Sequence, residues 1–181
     1  MRVTFVTAAA LAAIFATAAA ADDYPPRKPG LWEVTVHNSA IPDVTTKMCL
    51  DAETDQLFHK FSDNIRTQHC AKHDMKVTGG TVVMDTSCAL GGTTVTTNSV
   101  TTFTGDNAYH VDVKMHFDPP KLGQSDMSTT QDAKWVGDCP ADMKPGDLLL
   151  PHGIKINIKT VGMLNLLDQT DLLPTNDRSD T

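Results

Sequence analysis

The chain of 181 residues has few aromatic side chains and no cluster of positive charge. Aromatic residues make up 6% of it, and 22 acidic residues outnumber 15 basic ones, for a formal net charge of −7. Without a basic cluster or a base-stacking surface, nucleic acid is not expected as a partner. Glycine (11) and proline (10) are near average, so the composition excludes a collagen-like chain and argues against disorder.

Signatures of common enzyme classes are also missing. There is no G-x-S-x-G nucleophile elbow, no phosphate loop and no dinucleotide fingerprint, and the two Gly-Gly pairs, Gly79-Gly80 and Gly91-Gly92, fall where turns are expected. The many carboxylates do not single out a glycosidase-like pair. We therefore expect a protein that is not an enzyme and needs no cofactor.

Residues 1–21 are predicted to be a signal peptide. Arg2 is their only charge, an uncharged run extends from Val3 to Ala21, and the run ends in small residues. A membrane anchor would need about 20 strongly apolar residues, whereas this run is mostly alanine and threonine. No later run is long enough to span a bilayer, so we expect an exported mature chain without a membrane span.

Four cysteines follow the leader: Cys49, Cys70, Cys88 and Cys139. An even number in an exported chain predicts two disulfides, and four cysteines allow three pairings. We favour Cys49–Cys70, which closes a local segment, together with Cys88–Cys139, which ties late strands together. A metal site is the rival interpretation, but no C-x-x-C spacing supports it.

Most of the mature chain alternates apolar and polar residues, which is typical of half-buried strands. The predicted strands are Leu31–His37, Val44–Cys49, Lys72–Thr78, Thr81–Cys88, Thr93–Thr104, Ala108–Phe117, Ser125–Val136 and Lys155–Thr160. Asp51 is a plausible N-cap for one helix, from Ala52 to about Phe61. Short strands joined by tight turns favour a mainly β fold: a curled antiparallel sheet or partial barrel, in meander order, with one short covering helix.

We expect one domain over residues 22–160. A loop is predicted from Asp118-Pro119-Pro120 through Gln124. Residues 161–181 are predicted to be a partly disordered C-terminal extension, in which Val161–Leu173 could form a short helix or an apolar flap.

Three places in the chain carry a family resemblance. They are the opening Pro29-Gly30-Leu31-Trp32-Glu33-Val34, the Cys49-Leu50 pair before a helix that ends near Cys70, and Gly137-Asp138-Cys139-Pro140 with Met143-Lys144-Pro145-Gly146-Asp147 after it. Over about Lys28 to Ile158 the chain resembles DUF3617, a family of small exported proteins of Gram-negative bacteria with no assigned activity. The resemblance implies a periplasmic location and supports paired cysteines, but it implies no catalytic or ligand-binding residues. The segment after Thr160 falls outside the family pattern.

Methionines and other apolar residues on the inward phase of the strands are candidate ligand contacts. Methionine is flexible and polarizable and suits surfaces that adapt to varied apolar guests. If the sheet curls far enough, these side chains would line a cavity for a small hydrophobic molecule. Two other interpretations stay open: ordinary core packing and a thioether copper site. The candidates are Trp32, Met75, Met84, Val113, Met115, Phe117, Met127 and Trp135.

Histidines suggest a different function, the binding of copper or zinc. His69 and His73 are four residues apart, and His110 and His116 share the polar face of one predicted strand with Asp112. The alternative is that these histidines are solvent-facing residues on the outer surface of a half-buried sheet. A further alternative is a structural or interaction protein of the cell envelope, whose exposed strands or C-terminal tail contact an envelope protein.

Overall fold

A computed structural model describes residues 24–39 and 41–161. The predicted signal peptide and all but the first residue of the predicted C-terminal extension lie outside these residues. The described elements are β1 (Gly30–Asn38), β2 (Ile41–Leu50), α1 (Ala52–His69), β3 (Cys70–Thr78), β4 (Thr81–Leu90), β5 (Thr93–Thr104), β6 (Ala108–Lys121), β7 (Gln124–Gly137), β8 (Asp147–Leu149), a 3₁₀ turn (Pro151–Gly153), β9 (Lys155–Asn157) and α2 (Ile158–Val161).

The strands form one open antiparallel sheet in the order β3-β4-β5-β6-β7-β1-β2-β8-β9. Strands β3 to β7 are a simple meander, and β1 returns to pair with β7 on one side and β2 on the other. The sheet is curled and does not close, because β3 and β9 remain its edges. This confirms the predicted curled antiparallel sheet with one covering helix and two disulfides.

Helix α1 crosses the concave side of the sheet. It starts directly after β2 and ends at β3, two strands that lie six strand spacings apart, and it contacts β2, β3 and β4. A helix of 18 residues is about 27 Å long. Six strand spacings amount to about 29 Å in a flat sheet. The helix is therefore long enough to bridge the two sides of the curled sheet.

Several predicted element bounds were wrong, most clearly those of α1, β6 and the last strand. Helix α1 continues to His69, two turns beyond Phe61. Within this second half the Arg66 guanidinium donates to the Asp63 carboxylate, and the Thr67 hydroxyl donates to the Asp63 backbone carbonyl. Strand β6 continues to Lys121, within the predicted proline loop. Pro119 and Pro120 lie beyond the last residue of β6 that pairs with β5, so the sheet requires no hydrogen bond from their nitrogens.

The predicted last strand is also shorter than expected. Strand β9 ends at Asn157, and Ile158 begins the single turn α2, whose first residue is tied to the preceding loop by the bond from the Ile158 N–H to the Gly146 carbonyl. Isoleucine recurs at every second position, at Ile154, Ile156 and Ile158, as it would in a strand. Of these three residues, however, only Ile156 lies in β9. Ile158 is buried by packing beside Gly146 instead.

The favoured disulfide pairing was wrong as well. The bonds are Cys49–Cys139 and Cys70–Cys88. Cys70 lies directly opposite Cys88 in the β3–β4 ladder, whereas Cys49 at the end of β2 meets the segment that leaves β7. Helix α1 lies between Cys49 and Cys70 and places them six strand spacings apart in the sheet, so the predicted bond between them does not form.

The opening Pro29-Gly30-Leu31-Trp32-Glu33 anchors the chain to this framework. Trp32 is completely buried, and its indole N–H donates to the Lys28 carbonyl. The Trp135 indole donates to the Pro29 carbonyl. Gly30 has φ +132°, and a Cβ there would lie 2.4 Å from both the Gly137 oxygen and the Trp135 indole nitrogen, so no larger residue fits.

Candidate functional site

The face of the sheet that α1 covers, called the inner face below, carries all eight apolar candidates. The strand register places these residues opposite one another on this face: Met75 pairs with Met84, Met115 with Met127, and Trp32 with Trp135. Val113 and Phe117 occupy the same phase of β6 as Met115. The structure thus gathers the predicted residues on one surface.

Burial on the inner face is uneven. The fully buried hydrophobic cluster comprises Trp32, Val34, Met48, Leu50 and Ala133, on strands β1, β2 and β7. Of the eight candidates, only Trp32 belongs to it, and the other seven are half-buried. The inner face is thus tightly packed beneath the start of α1, whereas over β3 to β6 a few buried residues, such as Val82 and Val95, lie among half-buried ones.

The burial of α1 against the inner face is also incomplete. The apolar residues of α1, which are Leu57, Phe58, Phe61 and Ile65, are all half-buried. Only Thr54 and Asp55 of this helix are buried. Phe58 packs against the buried cluster, so the helix is anchored at its first half. A helix and a sheet face that both keep apolar surface half-exposed leave room between them.

Two clefts open at this gap. One has a volume of about 280 Å³ and lies between Phe58 of the helix and Phe103, Tyr109 and Val111 of the sheet. The other, of about 710 Å³, runs along the helix and the segment before β1 and reaches Met75. Residues common to both clefts are Tyr24, Arg27 and His59. These volumes are in the range of small-molecule sites.

A buried ion pair stands where the clefts meet. Arg27 Nε lies 2.6 Å from Asp55 Oδ1, and the Arg27 backbone N–H donates to Asp55 Oδ2 at 3.1 Å. The two side chains are only 8% and 7% exposed. The guanidinium also lies over the rings of Phe58 and Tyr109 at 5.8 and 5.9 Å from their centroids. Desolvated charges need such partners, so this pair joins the segment before β1 to α1.

His59 is the least satisfied polar residue of this group. Its Nε2 is buried and has no hydrogen-bond partner among the residues that the structure describes. The nearest acceptor, Asp55 Oδ1, is 3.6 Å away, too far for a hydrogen bond. An unsatisfied buried polar group costs about 1–3 kcal/mol and calls for an explanation. Burial, with the positive charge of Arg27, lowers the pKa of His59, so the imidazole is neutral at pH 7.

Two tyrosines complete the group. The Tyr24 ring stacks on the His59 ring with a centroid distance of 4.3 Å and an interplanar angle of 10°. The Tyr109 hydroxyl faces Arg27 Nη1 at 3.5 Å. Burial raises the pKa of both Tyr24 and Tyr109, although Arg66 and Arg27 respectively oppose the shift. Both hydroxyls are therefore protonated at neutral pH and can donate or accept hydrogen bonds.

Sequence reasoning missed this polar group. From the sequence, Asp55 is expected only to favour the positive N-terminal end of the helix, and Arg27 lies in a proline-rich segment before the first strand. One signal was available: Asp55, His59 and Ser62 recur at helical spacing, which places a polar stripe beside the apolar one. The partner of that stripe lies 28 residues earlier, so no local pattern could reveal it.

The candidate metal ligands are dispersed. His110 and His116 lie on the outer face of β6, where Asp132 and Asp126 respectively bond their Nδ1 atoms at 2.7 and 2.9 Å. Six residues of strand separate these two histidines by about 20 Å. His69 ends α1, and His73 lies on β3, three strands from β6. Within residues 24–39 and 41–161, no group of three His, Cys, Asp or Glu could hold a metal ion.

A different histidine cluster forms on the outer face. Asp132 bridges His110 at 2.7 Å and His37 at 3.2 Å. These groups line a shallow cleft of about 390 Å³. The hydrogen bond to Asp132 raises the pKa of His110, and the same bond lowers the pKa of Asp132. Both residues are well exposed, and each imidazole is satisfied by carboxylates, so this cluster is a surface ion-pair network.

Comparisons with known proteins give a family and no activity. No helix among the described residues is both long and apolar enough to cross a membrane. The chain matches no curated protein and no solved structure. Residues 27–139 match the family described as "Protein of unknown function (DUF3617)", a range that begins at Arg27, ends at Cys139 and so stops short of the Met143–Asp147 segment. Because this range covers more than half of the chain, the protein belongs to the DUF3617 family.

Proposed function

We propose that the protein is an exported, non-catalytic binding module of the cell envelope that holds a small hydrophobic molecule between α1 and the inner face. The observation that carries this proposal is the half-buried apolar surface on both sides of one gap. A core that served stability alone would bury these side chains, since burial contributes about 25 cal/mol per Å² of apolar surface. An apolar guest would complete that burial.

Periplasmic export is supported by the leader and the cysteines. The leader has one basic residue, an apolar run and a small-residue end, as secretory signals do. Both disulfides join residues of the described domain, and such bonds persist in oxidising compartments. With all four sulfurs paired, no thiol is available as a nucleophile, which supports a binding role over thiol catalysis.

The test is titration of a fluorescent naphthylamine, an apolar probe, into protein purified from its own periplasm. Met75 lines the larger cleft, and we expect Met75→Gln, which adds polarity there, to weaken probe binding by roughly tenfold, or about 1.4 kcal/mol. Lys76→Gln, at the next residue on the outer face, is the matched control and should bind as the wild type does. Native mass spectrometry of the same preparation should detect a co-purified lipid. Absence of both lipid and probe binding would overturn the proposal.

A second candidate function, contact with an envelope protein, is favoured by two apolar hairpin tips. Leu122 at the β6–β7 turn is fully exposed, and Leu90 at the β4–β5 turn is 49% exposed. Both turns lie at the same end of the sheet, because Thr94 of β5 pairs with Asp118 of β6. If this is the interaction surface, Leu90→Ser/Leu122→Ser should remove a partner captured from periplasm by the wild type while leaving probe binding unchanged.

A further inference from the structure

The gap between α1 and the inner face has a polar end as well as an apolar wall. Arg27 makes its strongest bonds with Asp55, and its Nη1 makes only marginal contacts, 3.5 Å to the Tyr109 hydroxyl and 3.8 Å to the Met48 sulfur. The buried Nε2 of His59 has no hydrogen-bond partner within the described part of the chain. The two residues that carry these poorly satisfied atoms therefore line the same cleft.

The rest of that cleft has an apolar wall beside polar side chains. Phe58 lies on the helix side, and Phe103, Tyr109 and Val111 lie on the sheet side, while Ser62, Thr101 and Gln131 add hydrogen-bonding groups. Tyr109 contacts the rings of both Trp32 and Phe103, so the apolar wall continues into the buried cluster. Polar groups placed beside an apolar wall are typical of sites that orient a ligand by its polar group. The ligand that fits such a cleft is an amphiphile whose polar head lies at His59.

The charge balance of the polar end determines which head fits. Arg27 and Asp55 neutralise each other, and His59 is uncharged at pH 7. Among the described residues that line the smaller cleft, Arg27 is the one permanent charge and it is already paired, so an anionic or cationic head there would enter without a free counter-charge. An unpaired charge is costly to desolvate. A hydroxyl or ester group needs only hydrogen bonds, which His59, Tyr24 and Arg27 Nη1 can supply.

We propose that the Arg27–Asp55–His59 group binds the uncharged head of an acyl ester or fatty alcohol, of which a monoacylglycerol is the test case, with the tail on the inner face. This proposal rests on the proposed function, because the tail needs the open inner face. It adds a ligand class: neutral amphiphiles in preference to fatty acids or alkyl phosphates. His59 Nε2 is the atom that selects the head.

The test compares three amphiphiles of one chain length, lauroyl glycerol, laurate and lauryl phosphate, as competitors of the naphthylamine probe at neutral pH and below their micelle concentrations. We expect lauroyl glycerol to displace the probe at roughly tenfold lower concentration than the two anions. His59→Phe keeps a ring to stack on Tyr24 but removes Nε2, so it should abolish this preference. His69→Phe, at the exposed end of α1, is the matched control and should keep the preference.

A measurement on the wild type removes any dependence on variant folding. Lauroyl glycerol should shift the ¹⁵N resonance of His59 Nε2, and dodecane should leave that resonance in place. Equal displacement by all three heads, a preference that survives in His59→Phe, or an unmoved Nε2 resonance would overturn the head-group assignment without contradicting the proposed function. Failure of every amphiphile and of the probe to bind the wild type would instead overturn the proposed function itself.

Discussion

At the scale of single residues, the most consequential contact is the ion pair between Arg27 and Asp55. It places two charges in a region where each is less than a tenth exposed, and each charge is compensated mainly by the other. Buried pairs of this kind add little net stability compared with apolar residues, but removal of one partner leaves the other charge buried and unpaired. The pair therefore controls both the docking of the segment before β1 and the polarity of the cleft.

Asp55→Asn should lower the free energy of unfolding by about 3–5 kcal/mol, because it leaves the Arg27 charge buried without a counter-charge. Urea unfolding at neutral pH measures this change. Asp63→Asn is the matched control on the same helix: Asp63 is 56% exposed and pairs with Arg66, so it should cost only about 0–1 kcal/mol. Similar losses for both variants would contradict the burial of the Arg27–Asp55 pair.

At the scale of elements, α1 is the part of the fold whose start is set most clearly by local chemistry. Asp51 caps it: the Asp51 carboxylate accepts the Thr54 N–H at 2.7 Å, and the Thr54 hydroxyl accepts the Asp51 N–H at 2.8 Å. This reciprocal capping box explains why the predicted start at Ala52 is confirmed. The end of α1 follows instead from the distance to β3, which no local pattern contains.

Acid stability should report the Asp51 cap. The hydrogen bond from the Thr54 N–H holds the pKa of Asp51 below its ordinary value. A carboxyl whose folded pKa lies below its unfolded value contributes stability that is complete above about pH 4 and is lost as the pH falls through the folded pKa. Asp51→Asn keeps an oxygen for the cap, so its stability relative to the wild type should improve as the pH drops below about 4.

Comparison of Asp51→Ala with Asp51→Asn separates the hydrogen bond of the cap from the charge of the carboxylate. Asp51→Ala should lose about 1 kcal/mol at neutral pH through the missing hydrogen bond, whereas Asp51→Asn should lose less. Unfolding by urea at a series of pH values gives both quantities, and Asp74→Asn on exposed β3 is a charge control. Equal losses for Asp51→Ala and Asp51→Asn at neutral pH would contradict the capping role.

At the scale of the whole molecule, the two disulfides act over very different lengths of chain. Cys70–Cys88 spans 18 residues and staples one hairpin. Cys49–Cys139 spans 90 residues and ties the end of β2 to the chain leaving β7, across β1, which lies between these two strands. The second bond therefore encloses the helix and the whole meander within one covalent loop.

Removal of the long-range disulfide should cost more than removal of the local one. The loop-entropy relation gives about 4.5 kcal/mol for Cys49–Cys139 and about 3 kcal/mol for Cys70–Cys88. Urea unfolding of Cys49→Ser/Cys139→Ser and of Cys70→Ser/Cys88→Ser tests the order. Peptide mapping without reduction tests the pairing itself: cleavage after Lys60, Lys72 and Lys134 puts the four cysteines on four peptides, and the Cys49 peptide should stay bound to the Cys139 peptide. A Cys49 peptide bound to the Cys70 peptide would refute it.

The sequence alone determined most of the strands, the start of the helix and the shared face of the methionines. Each of these follows from near neighbours: a period of two separates Val113 and Met115 from Lys114, and a cap needs only residues three apart. Tertiary structure decided the cysteine partners, the reach of α1 and the meeting of Arg27 with Asp55 and His59. These depend on how the curled sheet brings distant segments to one place, and loop closure over such distances leaves no local periodic trace in the sequence.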